Sequence, residues 1–106
     1  MTGLATQREY QVRDWYRARG WVAFRAPASL GVADVVALKD GHRPHLVEVK
    51  MSPYPYEHFR PDDRMRLLEA AAIAGAVPML AHWPKGGSLT YIPWPAWPTI
   101  GGETTP

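Results

Sequence analysis

The stretch His45-Leu46-Val47-Glu48-Val49-Lys50 is a short apolar run in which an acid and a base stand one residue apart. Side chains alternate faces along a strand, so Glu48 and Lys50 share one face. A carboxylate and an ammonium emerging together from an apolar strand cost desolvation free energy unless the pair is neutralised or used. Just upstream, Ala33-Asp34-Val35-Val36-Ala37-Leu38-Lys39 reads as a second strand, apolar on both faces as a central, covered strand would be. Asp40-Gly41 supplies the turn between them. With a loop of about three to five residues, Asp34 comes to lie opposite or diagonal to Glu48 on the same face.

Working outward, Trp21-Val22-Ala23-Phe24-Arg25 reads as a strand preceding these two, and Ala26-Pro27-Ala28-Ser29-Leu30-Gly31 as the loop between. Thr6-Gln7-Arg8-Glu9 has the form of a capping box opening a helix from about Gln7 to Arg19, with Val12, Trp15, Tyr16 and Arg19 at helical spacing from Glu9 and Gly20 ending it. Glu9 is then either a cap or a functional acid, since one side chain does not easily serve as both. Pro61, Asp62, Asp63 and Gly75 bracket a second helix, Pro61 to Ala74, with Met65, Leu68 and Ala72 as its apolar stripe. Val77 to Trp83 and Ser88 to Ile92 complete five strands. The order is that of an α/β domain with a mixed five-stranded sheet flanked by helices, one domain over residues 1–106 with a flexible tail from about residue 99.

Residues 1–50 carry eight Lys/Arg against five Asp/Glu, and residues 51–106 carry four against five. A basic first half suits a polyanionic partner, although many proteins that bind none share so small a bias. Cysteine is absent, which excludes disulfides, thiolate zinc sites and cysteine nucleophiles. No apolar stretch approaches the roughly twenty residues of a membrane span, and the N-terminus turns polar too soon for a signal peptide, so a soluble protein in an intracellular compartment is expected. The four histidines are scattered, and His82, in an apolar strand, reads as a hydrogen-bonded core imidazole. Trp94 and Trp97 suit packing on the sheet or a dimer contact better than base stacking.

Asp34, Glu48 and Lys50 are three ionisable groups among Val, Ala and Leu. Two carboxylates forced close must share a proton, pair with cations or bind a metal, and oxygen-only ligands favour magnesium or manganese over zinc. A hard cation beside an ammonium is suited to phosphodiester hydrolysis. The competing reading has Glu48 and Lys50 exposed at a strand end and Asp34 as a turn acid.

Glu9, Arg25-Ala26-Pro27-Ala28-Ser29, Ala33-Asp34-Val35-Val36-Ala37 and Glu48-Val49-Lys50, in that order, resemble the archaeal-type Holliday junction resolvases of the PD-(D/E)XK nuclease superfamily. The resemblance extends from about Glu9 to Trp83. It implies a restriction-endonuclease-like sheet and a homodimer that cuts opposed strands of a four-way DNA junction, with Mg2+ as cofactor and Mn2+ able to substitute. It further implies that Asp34, Glu48 and the Val49 carbonyl ligate the metal, with Glu9 joining directly or through water. Lys50 would act on the attacking water or the phosphate, and Arg25 and Ser29 would contact DNA. Many members follow the helix glutamate with arginine; here Arg8 precedes Glu9 and Tyr10 follows it, which makes Arg8 the remaining candidate for that DNA contact. Ala33 stands where the superfamily name has proline, and Arg60, Arg64 and Arg66 stand where many relatives place lysine and glutamine. The alternatives are a VRR-NUC-like or restriction-type nuclease and a non-catalytic module that binds branched DNA.

Overall fold

The antiparallel pairing of two apolar strands, with Val35 opposite Val47, sets the centre of the molecule. The structure is a computed structural model describing residues 3–26, 32–84 and 86–98. Its elements are α1 (Leu4–Arg17), β1 (Val22–Arg25), β2 (Val35–Leu38), β3 (His45–Lys50), α2 (Pro61–Ala74), β4 (Val77–His82) and β5 (Thr90–Pro93). They form one sheet in the order β1-β2-β3-β4-β5, antiparallel except for the parallel β3–β4 pair that α2 connects. Both the mixed sheet and its strand sequence agree with the reading from residues alone. The proposed flexible tail from residue 99 lies outside the described residues.

Alternation divides the core into two layers. Val12 and Tyr16 of α1 pack on Ala23, Val35, Ala37, Val47, Val49, Met79 and Ala81. On the other face, Leu46, Leu80 and Ile92 lie in the cluster that contains Leu67 of α2, with Tyr56, Phe59 and Trp97. Trp97 is therefore a core residue, its indole N–H donating to the Ile92 carbonyl at 2.9 Å. His82 is hydrogen-bonded to the Ser52 carbonyl at 2.7 Å, as its place in an apolar strand suggests.

Four local expectations are corrected. Helix α1 starts at Leu4 behind Gly3, so Thr6 and Glu9 lie inside the helix and form no capping box. The β2–β3 connection covers residues 39–44, longer than expected, and is tightened by the His42 amide on the Lys39 carbonyl at 3.1 Å. Strand β2 is covered on one face only: Val35 and Ala37 are buried, whereas Leu38 is 40% exposed. The buried side of α2 is Arg64, Leu67 and Ala71, while Met65 is 45% exposed and Ala72 faces solvent.

The shift in α2 has a clear cause. Arg64 buries its stem and lays its guanidinium over the Tyr56 ring at 4.3 Å while donating to the Phe59 carbonyl. An arginine that can stack and donate behaves as part of an apolar face, which a pattern of hydrophobic letters omits. Pro61 at the start, Asp62 and Asp63 in the first turn, and Gly75 at φ 64° past the end then bound the helix at the expected residues.

This phase can be checked by denaturant unfolding. Leu67→Ala is expected to cost about 2–5 kcal/mol, whereas Ala72→Ser, at a position the apolar pattern would bury, is expected to stay within about 0.5 kcal/mol of the parent.

Candidate active site

The site forms where α1, the end of β1, the approach to β2 and the second half of β3 meet. Asp34 precedes β2, and one further step of the Val35–Val47 register sets it opposite Glu48. Its backbone amide donates to the Val47 carbonyl at 2.9 Å, and its Oδ2 accepts the Val49 amide at 2.8 Å. The side chain thus takes a backbone donor just beyond the end of β2, which fixes the carboxyl in place.

Glu48 shares its face of β3 with Lys50, and the two meet at 3.1 Å. Lys50 also donates to the His58 carbonyl at 3.1 Å. From α1, Glu9 Oε1 accepts from Arg25 Nε at 3.1 Å and forms an ion pair with Nη2 at the same distance. Thr6, Glu9, Arg25, Ala26, Ala33, Asp34 and Glu48 line a cavity of about 340 Å³. Five of the expected site residues, Glu9, Arg25, Asp34, Glu48 and Lys50, are therefore brought together. Arg8 is held elsewhere, its guanidinium 3.8 Å from the centre of the Trp83 ring and bonded to Gln11 at 3.1 Å. Ser29 lies outside the described residues. Arg64, buried by its latch on Phe59, is not available to DNA.

The model of the archaeal Holliday junction resolvase family, Hjc, matches residues 2–96. The chain belongs to that family. Its members are resolvase nucleases, which makes the chain an endodeoxyribonuclease that acts in DNA recombination. The fold is similar to the crystal structure of Hjc from Archaeoglobus fulgidus, a resolvase from an archaeal hyperthermophile, with a TM-score of 0.65 and 22% identity over 83% of this chain and 74% of that one. No curated protein matches the sequence.

Within this Hjc-family site, burial sets the electrostatics. Glu48 is pushed up to about 8, first by desolvation and then by the charge of Asp34, with Lys50 opposing. Asp34 is also raised by burial, against the pull of the Val49 amide and Lys50. Each carboxyl is thus raised chiefly by desolvation, and the charge of Asp34 adds to the rise at Glu48. Glu9 is raised by burial and by Asp34, while Arg25 draws it down.

A divalent cation beside the two carboxyls would relieve that cost, so the donor chemistry fits a hard metal held by Asp34 and Glu48. As arranged, no three such ligands among the described residues converge on one point, and Glu9 is paired with Arg25. Thr6, which lines the cavity, was masked in sequence by its capping-box spacing. The His58 carbonyl that anchors Lys50 left no sequence signal, since any residue offers a carbonyl. Tyr10, whose ring lies 4.5 Å from the Arg25 guanidinium, registered only as a departure from the family pattern.

The raised Glu48 carboxyl gives a pH prediction. A carboxyl raised in the folded state binds more protons there than in the unfolded chain, so its contribution to stability is complete below the unfolded value of 4.5 and is lost as pH rises through about 8. Without divalent cations, the melting temperature is expected to fall between these limits, and Glu48→Gln is expected to flatten the decline.

Proposed function

We propose that the chain is a magnesium-dependent, structure-selective endonuclease that resolves four-way DNA junctions, acting inside the cell. The observation that carries this reading is the half-buried pair Asp34–Glu48 lining one cavity, with the Lys50 ammonium 3.1 Å from Glu48. A family of resolvases supplies the substrate. Mn2+ is expected to substitute for Mg2+.

When bound, a divalent cation supplies Lewis-acid polarisation of the phosphoryl oxygen and a more acidic water. Asp34 and Glu48 are its proposed holders, with the Val49 carbonyl beside them. Glu9 joins when Arg25 turns from the carboxylate to DNA phosphate. Lys50, braced by the His58 carbonyl, directs an ammonium toward the attacking water and the charge that develops on phosphate. Arg25 and Ser29 are the proposed contacts to the DNA backbone near the cut. Arg8, stacked on Trp83, is a contact at the rim.

Cleavage of a labelled four-way junction and a matching linear duplex tests this function. Paired, symmetric cuts in the junction are expected with Mg2+, no cleavage in EDTA or with Asp34→Asn, and a loss of about 10²–10³-fold with Lys50→Ala. Equal cutting of duplex and junction would instead favour a restriction-type or VRR-NUC-like nuclease, and junction binding without cleavage in any divalent metal a non-catalytic module.

A homodimer belongs to the same proposal, because a junction with two-fold symmetry calls for two sites. It is supported by the uncovered face of β1–β2, where Val22 is 66%, Phe24 43% and Leu38 40% exposed. The register aligns Phe24 with Val36 and Val36 with Leu46, so this apolar strip continues into the face that α2 covers. Phe24→Glu is expected to convert a dimer to a monomer in light scattering and to replace paired cuts by single nicks. A monomeric parent protein would exclude the dimer.

A further inference from the structure

Tyr10 brings two guanidiniums to one aromatic ring. Arg25, reaching from β1, stands 4.5 Å from the ring centre, and Arg13, on the next turn of α1, stands 4.8 Å from it. Glu9 and Arg13 are four residues apart, so they share a helix face and are separated by about 6 Å along its axis. The Arg25 and Arg13 guanidinium carbons, 4.5 and 4.8 Å from one ring centre, lie at most about 9 Å apart, within reach of neighbouring phosphates on one strand. The row Glu9, Tyr10, Arg13 with Arg25 beside it leads out of the acid cavity along α1, with Tyr10 exposed and Glu9 and Arg13 half-buried.

Stacking occupies the face of a guanidinium and leaves its N–H edges for an anion. Arg25 donates Nε to Glu9, with Nη2 as near, and also meets the Tyr10 side chain, so that turning from Glu9 frees its edge for a phosphate while Tyr10 still holds it. Arg13 likewise spends Nε and Nη2 on Asp14, at 3.0 and 2.8 Å. Asp14 is 59% exposed, and a surface pair of this kind is worth little, so Arg13 can exchange or share that partner at small cost. The ring also limits the rotamers of both arginines, which reduces the entropy lost when a phosphate is bound.

We infer that Arg13, held by Tyr10, forms a second phosphate site one nucleotide away from the phosphate contacted by Arg25. Tyr10 is the positioning residue that keeps the two sites in step. The inference rests on the junction-nuclease reading above and extends it to residues outside the acid cavity.

The test is equilibrium binding of a fluorescent four-way junction by the full chain in EDTA, across a series of salt concentrations. Arg13→Ala is expected to lower the magnitude of the slope of log K against log salt by about one, with weaker binding at low salt that converges with the parent at high salt. Arg13→Lys keeps the charge and is expected to keep the slope. Tyr10→Ala is expected to weaken binding several-fold, and Tyr10→Phe, which keeps the ring, to retain it. An unchanged slope with Arg13→Ala, whether or not affinity falls, overturns the second phosphate site. Equal binding by Tyr10→Ala and the parent overturns the positioning role. A parent protein without salt-dependent junction binding overturns this inference and the proposed function together, whereas a normal parent slope that Arg13→Ala does not alter overturns this inference alone.

Discussion

The hydrogen bond from the Val49 amide to Asp34 Oδ2 is the constraint on which the site depends. Asp34 stands where β2 is no longer in regular pairing, and a carboxylate there could turn toward water. The amide instead holds it against the next residues of β3, opposite Glu48. Burial then does the electrostatic work. Desolvation raises both carboxyls and the charge of Asp34 raises Glu48 further, a cost that a cation placed between them would relieve. The rest of the sheet acts as support: Val35, Ala37, Val47 and Val49 under α1 keep the two strands from drifting apart.

Much of this was legible in the chain because it depends on short-range rules. Alternation put Glu48 and Lys50 on one face, an antiparallel return brought Asp34 to Glu48, and proline, aspartates and glycine bounded α2. The connection is longer than expected, yet its register still pairs Val35 with Val47, which keeps Asp34 beside Glu48. The misread features involve competition between partners. Thr6 and Glu9 have the spacing of a capping box, but Gly3 starts the helix earlier and leaves both side chains free to face the cavity.

The phase of α2 and the anchoring of Lys50 were not legible for a different reason. Each depends on a backbone carbonyl, Phe59 for Arg64 and His58 for Lys50, and carbonyls carry no letter in a sequence. Cation–π partners share that property in part. Arg25, Arg13 and Tyr10 are separately unremarkable, and only the packing of β1 on α1 brings them to a common ring.

The Arg64 latch has a mechanical consequence. Lys50 is tethered to the carbonyl of His58, and the adjoining carbonyl of Phe59 is gripped by a side chain rooted in α2. The helix and the ammonium are thus joined by a strut only a few bonds long at its narrowest point. A rotation of α2 about its own axis would be felt at Lys50 before it was felt at Asp34, whose carboxyl is secured by the sheet. One half of the candidate site is tied into the sheet, and the other takes its alignment from a helix whose outer side is exposed.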